Sequence, residues 1–305
     1  MSSKARKDPG GCHPQRFTRR AKKNYSVRQT CYPDDVLEQL RQAYNRGHPQ
    51  HPIRGKTSYV IWKSLRQRLD QERVCPVVNG ERCWLSTLSD ETKTKLQRYV
   101  FAPPQPAKWK QNKNEWLDNM NLLQAMEQYE TTYPSFAFFG PAPMDFAEKM
   151  SATTCVDTEL CTLSLSKLRH AGKQHVGIIL NLDDHDQGGS HWVALYLDLV
   201  SQKAYYFDST GEPATDEVKR FVKTQLHLPL LENHNDHQQG DTECGIYVMY
   251  FLVIMLTGGI DRGAVKKSRT SRTFPLPVSQ RWPYFSKGAT ITDDEMEDFR
   301  DYFFS

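Results

Sequence analysis

Residues 238–249, QQGDTECGIYVM, constrain the fold more than any other stretch, because a polar turn there becomes a long apolar run. The run over residues 246–256 carries no charge and has the length and composition of a buried helix. Cys244 would lie at the N-terminus of this helix, where backbone N–H groups and the helix dipole favour a negative charge. Since such a setting favours a thiolate over a thiol, the segment predicts a nucleophile.

The residues on either side of Cys244 fit the same chemistry. Gly245 allows the backbone to approach a substrate carbonyl closely. The side-chain amide of Gln238, upstream of the cysteine, can donate a hydrogen bond to a developing oxyanion. Together these residues predict a site for nucleophilic attack on a carbonyl carbon.

A predicted β-hairpin supplies a base for the thiol. Residues 191–199 and 203–208 have the composition of two strands joined by a tight turn. Antiparallel pairing brings the start of one strand beside the end of the other, so we expect His191 and Asp208 to be neighbours. The carboxylate would orient the imidazole and stabilise the imidazolium, while Cys244 approaches from the helix.

Each of these residues also has an ordinary structural interpretation. A cysteine before an apolar helix is commonly a small core residue, and a histidine in a strand is commonly structural. An Asp-Ser pair commonly begins a turn. The order, spacing and local context of the residues together favour the catalytic interpretation.

The remaining pattern predicts an α+β fold. Residues 176–182 form a continuous apolar run, which is typical of a central strand. The aromatic and proline-rich residues 132–146 are interpreted as a buried connector. Apolar residues recur at helical spacing on both sides of the strands, which places helices at both ends of the chain. These predicted helices cover residues 33–46, 58–72, 87–99, 114–129 and 215–224.

Three regions are predicted along the chain. Residues 1–30 carry nine Lys or Arg against one acid, with few apolar residues, so we expect a disordered basic arm. Residues 31–105 form a mostly helical N-terminal region, which ends at a cluster of three prolines. Residues 106–305 contain the predicted site.

The basic arm has two interpretations of similar weight. It could bind nucleic acid through the phosphates, or it could be a solubilising tail or a localisation signal. A second basic stretch, residues 262–272, is interpreted as an exposed loop that could extend the same footprint.

The seven cysteines are scattered and odd in number, which favours reduced thiols over a secreted disulfide framework. Cys75 and Cys83 are too widely spaced for a typical zinc pair, and no second pair follows, so we expect no metal. We also expect no organic cofactor, because thiolate catalysis requires none. No apolar run is long enough to span a bilayer and no signal peptide opens the chain, so we expect a soluble protein that is not secreted.

The motifs His191-Trp192, Tyr206-Phe207-Asp208-Ser209 and Gln-(five residues)-Cys-Gly resemble, in this order, those of the ubiquitin-like-protein-specific cysteine proteases. This family includes the SUMO proteases and the adenoviral endopeptidase. Residues 115–123, EWLDNMNLL, are similar to the upstream Trp-Leu helix of the family. Cys83-Trp84-Leu85 and Phe138-Phe139-Gly140 resemble elements of the virion-maturation proteases of large nucleocytoplasmic DNA viruses.

The resemblance implies a papain-like or adenain-like protease core, with a central mixed sheet flanked by helices. It implies that Trp116 and Trp192 wall a tunnel for a Gly-Gly substrate end, although Trp116 could equally be a core anchor of its helix. The roles implied for the reacting groups are nucleophile for Cys244, general base for His191, orienting carboxylate for Asp208 and oxyanion donor for Gln238.

Two departures from the family pattern surround the cysteine. Glu243 stands where many SUMO proteases have aspartate, and Gln239 lies beside Gln238. Gln238 has the family spacing, but Gln239 stays open as the donor. His234 and His237 lie nearby, and their position before the cysteine loop, away from the hairpin, argues against either as the base.

Three functions follow as hypotheses. The first is a thiol endopeptidase that cleaves after Gly-Gly-X motifs and processes viral core polyproteins during virion maturation, in the virion and the host cytoplasm. The second is a SUMO or ubiquitin-like deconjugase acting on host modifiers, which would need a large surface for a folded partner. The third is an inactive binding module, against which the complete set of four reacting residues argues.

Overall fold

The computed structural model describes residues 11–18, 21–71, 77–259 and 277–305. The chain divides into two compact units. Unit 1 contains the residues before Pro106, together with residues 301–305 at the end of the chain. Unit 2 contains most of the residues from Pro106 to Arg300.

In the described residues before Pro106, unit 1 consists of three α-helices and several 3-10 turns. Helix α1 carries two aspartates in its first turn, where they complement the helix dipole, and buries one apolar face. Tyr32 and Trp84 stack at the centre of the unit. The helices are α1 (Asp34–Gly47), α2 (Ser58–Gln71) and α3 (Asp90–Val100), all close to their predicted positions.

A five-stranded mixed sheet forms the centre of unit 2, in the strand order β1-β2-β3-β4-β5. Its outer pairs, β1 with β2 and β4 with β5, are parallel, whereas the two inner pairs are antiparallel. The inner pair β3 and β4 is the hairpin that the sequence predicted. The strands are β1 (Phe136–Ala142), β2 (His175–Asn181), β3 (Trp192–Asp198), β4 (Lys203–Phe207) and β5 (Leu230–Glu232).

Both faces of this sheet are covered, which explains why its central strands lack a polar face. All seven residues of β3 are buried. Alternate residues of β2, β3 and β4 enter a core with Phe146 and Phe221, and the residues between them face α8 (Cys244–Thr257). On that second face Phe207 stacks on Phe251, with ring centroids 4.8 Å apart.

Helix α8 is buried along nearly its whole length, as its uncharged sequence predicts. It packs against β3 and is followed by Gly258, whose φ of 81° is a left-handed conformation that favours glycine at a helix C-terminus. The other helices of unit 2 are α4 (Asn119–Thr132), α5 (Thr158–Cys161), α6 (Leu165–His170), α7 (Asp216–Arg220), α9 (Val278–Arg281) and α10 (Pro283–Ser286). The last helix, α11 (Asp293–Phe303), begins in unit 2.

Strand β1 differs from the prediction of a connector over residues 132–146. The sheet continues through Gly140 and Pro141, which the sequence pattern does not favour in a strand. The peptide bond between them is cis, and the pairing with β2 shifts its register there. Gly140 has a φ of 88°, and a Cβ atom would lie 2.4 Å from the carbonyl oxygen of Ile179.

The described part of the predicted basic arm is also ordered. Cys12, His13 and Arg16 are buried, and a disulfide links Cys12 to Cys31. Residues 1–10 of the arm and the basic stretch 262–272 lie outside the described residues. The disulfide and backbone hydrogen bonds to Val100 and Ala102 hold this short segment against the rest of unit 1, and composition reveals neither.

The expectation of reduced thiols is wrong for most of the cysteines. A second disulfide joins Cys155 to Cys161, and Cys83 is disulfide-bonded as well. Cys75 lies outside the described residues, while Cys244 is free and buried. Scattered positions in the sequence conceal such pairs because folding, not spacing, brings the sulfur atoms together.

Candidate active site

The hairpin brings His191 and Asp208 together. His191 immediately precedes β3 and Asp208 immediately follows β4, so the strand pairing aligns the two ends. The Nε2 atom of His191 lies 2.8 Å from Oδ1 of Asp208. This is the distance of a strong charge-assisted hydrogen bond.

Asp208 is held from several sides, and its residue surface is 1% exposed. Its Oδ1 atom also accepts hydrogen bonds from the backbone N–H and the hydroxyl of Thr210, at 2.9 and 2.8 Å. Its backbone N–H donates to Asn233 Oδ1 at 2.9 Å, and Asn233 Nδ2 donates back to the Asp208 carbonyl at 2.8 Å. No local pattern in the sequence indicates a role for Asn233, because it acts from the end of β5 across the sheet edge.

Cys244 is the first residue of α8, and only 2% of its surface is exposed. Cys244 interacts with the His191 imidazole, and this interaction helps to raise the pKa of His191. Since Nε2 of the imidazole faces the carboxylate, Nδ1 is the ring nitrogen left for the sulfur. The fold therefore places the cysteine, the imidazole and the carboxylate close together at the N-terminus of a buried helix.

The pKa of His191 is raised to about 10. Burial of the imidazole acts in the opposite direction and lowers the pKa, but the hydrogen bonds to Asp208 and Cys244 and their negative charges outweigh it. The histidine is therefore an imidazolium at neutral pH. An imidazolium at this position can later donate its proton to a leaving group.

Gln238 is buried and its amide is fixed at both ends. Its Oε1 atom accepts from the Ser209 hydroxyl at 2.7 Å, and its Nε2 atom donates to the Gly240 carbonyl at 2.8 Å. Because a carbonyl can only accept, this second contact assigns the nitrogen, and one N–H of the amide remains to donate elsewhere. Gln239, by contrast, has an exposed side chain.

The two tryptophans occupy different environments. Trp192 is buried and donates from Nε1 to the carbonyl of Leu117 at 3.1 Å. Trp116 is 43% exposed, which disfavours its interpretation as a core anchor. Gly245 lies against Leu117, the residue after Trp116, because a Cβ atom on Gly245 would lie 3.1 Å from the side chain of Leu117.

His237 is fully buried and has a structural role. Its Nε2 atom donates to the Phe285 carbonyl at 2.9 Å, and Nδ1 accepts from the Ile291 N–H at 3.1 Å. Burial lowers its pKa, against the raising effect of the Phe285 carbonyl and the charge of Asp236. A neutral imidazole with both nitrogens engaged is not available as a base.

Other groups near the cysteine were not found from the sequence. Asp293 and Arg300 both contact the segment between Gln238 and Cys244. Within the described residues, His, Cys, Asp and Glu side chains form no cluster of three that could hold a metal ion. None of the helices there is long and apolar enough to cross a membrane.

Comparison with known proteins identifies similar proteases. The model of the Ulp1 protease family, C-terminal catalytic domain, matches residues 166–303. The chain is 27% identical over 277 residues to a putative thiol protease of Acanthamoeba polyphaga mimivirus, covering 81% of this chain and 84% of that protein. It is 25% identical over 183 residues to the SUMO-1 cysteine protease of African swine fever virus, covering 54% of this chain and 63% of that protein.

A solved structure has the same fold over nearly the whole chain. The crystal structure of the African swine fever virus protease superposes with a TM-score of 0.57 and 18% sequence identity. The match covers 98% of this chain and 97% of that one. These comparisons confirm the predicted resemblance to ubiquitin-like-protein-specific and viral cysteine proteases, and the predicted fold class with it.

Proposed function

We propose that this chain, whose residues 166–303 form an Ulp1-like protease domain, is a thiol endopeptidase that cleaves after Gly-Gly-X motifs. The observation that carries the proposal is the 2.8 Å hydrogen bond between His191 and Asp208, together with the position of Cys244 at the start of α8, where it interacts with the same imidazole. A thiolate, an imidazolium and a carboxylate in this order can both attack a carbonyl and protonate a leaving amine.

The reaction has two halves. The Cys244 thiolate attacks the scissile carbonyl carbon, and Gln238 and the backbone N–H of Cys244 donate to the resulting oxyanion. The His191 imidazolium gives its proton to the leaving amine as the C–N bond breaks, which leaves a thioester. His191 then takes a proton from water as the water attacks the thioester, and the acid product leaves with Cys244 again the thiolate.

Steric exclusion sets the preference for glycine. Trp116 and Trp192 wall the approach to the cysteine, and Gly245 presents backbone without a side chain. A channel of this kind accepts a substrate without side chains and rejects bulkier residues before the scissile bond. The buried ring of Trp192, fixed by its hydrogen bond to Leu117, supports a rigid wall.

The biological substrate proposed is a viral structural or core polyprotein, cleaved in the virion or in the host cytoplasm during maturation. Two viral relatives, named as a putative thiol protease and a SUMO-1 cysteine protease, support a viral setting. The second of these names also keeps a folded ubiquitin-like modifier as the alternative substrate.

Nucleic acid is proposed as a second partner, bound through the basic residues 1–30. Deleting that whole segment would also remove Cys12 from its disulfide, so the sharper variant replaces Lys4, Arg6 and Lys7 by glutamine. DNA affinity and its salt dependence should both fall, while peptide cleavage is unchanged. An unchanged affinity would assign these charges another role.

The test of the main proposal compares wild-type protein with Cys244→Ala on two substrate sets, read by mass spectrometry. One set is a library of short peptides containing Gly-Gly-X, and the other is folded SUMO and ubiquitin precursors. Cleavage of the peptides by wild type alone supports the endopeptidase. Cleavage of the folded precursors alone would show that the protein is a deconjugase and not the proposed endopeptidase. Cleavage by Cys244→Ala would refute a cysteine mechanism.

A further inference from the structure

The nucleophile loop, residues 239–243, connects the proposed oxyanion donor Gln238 to Cys244. We propose that Asp293 and Arg300 of α11 are positioning residues that hold this loop. They thereby keep Gln238 and Cys244 in the relative position that catalysis requires. The inference rests on the proposed function, since it assigns roles around the same cysteine.

Arg300 holds the end of the loop that is next to the cysteine. Its Nε atom donates to Glu243 Oε2 at 2.8 Å and its Nη2 atom to Oε1 at 2.6 Å, a two-pronged contact between buried side chains. Nη2 also donates to the Thr242 carbonyl at 3.3 Å. Paired N–H···O contacts fix direction as well as distance, so Glu243 cannot rotate without breaking them.

The same guanidinium reaches a second part of the proposed site. Its Nη1 atom donates to the carbonyl of Glu115 at 2.8 Å, and Glu115 directly precedes Trp116. The guanidinium also lies over the Trp109 ring, 4.7 Å from the centroid. Arg300 therefore ties the residue before the nucleophile to the segment that carries a proposed wall of the substrate channel.

Asp293 holds the opposite end of the loop. Its Oδ2 atom accepts from the backbone N–H of Gly240 at 2.7 Å and of Gln239 at 3.1 Å. Its Oδ1 atom accepts from the Tyr247 hydroxyl at 2.9 Å. Since Gly240 also accepts from the Gln238 amide, Asp293 fixes the backbone on which the proposed oxyanion donor is oriented.

The two charged residues act from one face of α11, because residues seven apart on a helix lie two turns apart on the same side. Between them they contact four of the five loop residues: Gln239, Gly240, Thr242 and Glu243. One rigid helix thus spans the loop, and a displacement of about 1 Å in such a site can cost on the order of 100-fold in rate.

The central experiment replaces the buried pair by two methionines, Glu243→Met with Arg300→Met. Exchanging a buried ion pair for apolar residues of similar volume is commonly neutral or stabilising, so the thermal midpoint should be kept. We expect kcat to fall by about 10- to 100-fold, with KM changed less than twofold. The matched control is Glu38→Met with Arg41→Met, a pair in unit 1 that should leave kcat unchanged.

Single substitutions test Asp293 at the other end of the helix and separate the effect of Arg300 on stability from its effect on catalysis. Asp293→Asn should lower kcat by several-fold at an unchanged thermal midpoint, whereas Asp294→Asn, at its exposed neighbour, should change nothing. Arg300→Lys retains the charge but loses the two-pronged contact. It should therefore recover stability relative to Arg300→Ala without recovering the full wild-type kcat.

Alkylation of Cys244 by iodoacetamide separates this inference from the proposed function, because it requires no substrate. In the Glu243→Met, Arg300→Met variant the second-order rate at neutral pH should fall by at least threefold, even if the wild-type protein cleaves none of the substrates. A variant with its wild-type thermal midpoint, alkylation rate and kcat would overturn the positioning role.

Discussion

The two units of the chain use their helices differently. In unit 1, α1 buries one face and exposes the other, and the described residues include a disulfide between Cys12 and Cys31. In unit 2, α8 is buried nearly all round and rests on a sheet whose central strands are also buried. The reacting groups lie only on this second framework, at the ends of its strands and at the start of its helix.

This contrast shows that the proposed reacting residues lie on the most rigidly packed elements of the described chain. His191, Asp208 and Cys244 lie at the boundaries of elements that cannot shift without disturbing a close-packed core. Surface helices of unit 1 have no such constraint on their exposed side. We therefore expect changes at the site to act on rate, and changes in unit 1 to act on stability alone.

The largest effect is expected for Asp208→Asn. Loss of the carboxylate leaves burial to dominate, so the pKa of His191 should fall from about 10 and the imidazolium should be lost at lower pH. We expect kcat to fall by roughly 10³- to 10⁴-fold, and the alkaline limb of the pH profile of kcat/KM to move toward neutral pH.

The pH dependence of folding stability gives a second measurement for the same variant, because the pKa of His191 differs between the folded and unfolded states. The raised pKa of His191 contributes stability in full below about pH 6.5, and that stability is lost as the pH rises through about 10. Asp208→Asn should remove most of this contribution at neutral pH. Asp145→Asn, which disrupts the pair with His185 outside the site, is the control for the kinetic measurement and should leave the alkaline limb of kcat/KM in place.

A smaller effect is expected for Gln238→Ala. Removing one oxyanion donor should lower kcat by about 10²- to 10³-fold with little change in KM. The adjacent variant Gln239→Ala should retain the wild-type rate, because that side chain is exposed and its backbone alone contacts Asp293. Steady-state kinetics on one Gly-Gly-X peptide decide between the two glutamines, and the reverse ranking would assign the donor to Gln239.

The smallest effect on catalysis, and a clear effect on stability, is expected in unit 1. Cys12→Ser with Cys31→Ser opens a loop closed across 19 residues, which should cost about 3 kcal/mol of unfolding free energy. Thermal unfolding followed by circular dichroism measures this loss. At a temperature where the variant is folded, kcat should match wild type, and a reduced kcat there would break the proposed contrast between the units.

Local pattern was sufficient to predict much of unit 2. The uncharged run after Cys244 predicted α8, and the hairpin spacing predicted that His191 and Asp208 would be neighbours, as they are at 2.8 Å. The α-helices of unit 1 followed from their apolar periodicity. In each of these cases the determining residues lie within one element or one tight turn.

The features that the sequence did not reveal depend on residues far apart in the chain. Arg300 meets Glu243 across 57 positions, and Asn233 meets Asp208 across 25. Strand β1 contains Gly140 and Pro141, which argue against a strand until β2 is available to pair with it. The disulfides have a different reason: they span only 19 and 6 residues, but the spacing of cysteines does not show which sulfur atoms the fold brings together.

The distance along the chain between the nucleophile loop and α11 has a consequence in time. A ribosome that adds about 5 to 20 residues per second takes roughly 3 to 11 s to pass from Glu243 to Arg300, 57 positions later. During that interval the growing chain already contains the cysteine, the histidine and the aspartate, but not the helix that orders the loop. Synthesis order alone therefore means that the loop cannot be ordered in this way until α11 has been made, together with the aromatic residues Trp282, Phe285 and Phe299 that pack on α8.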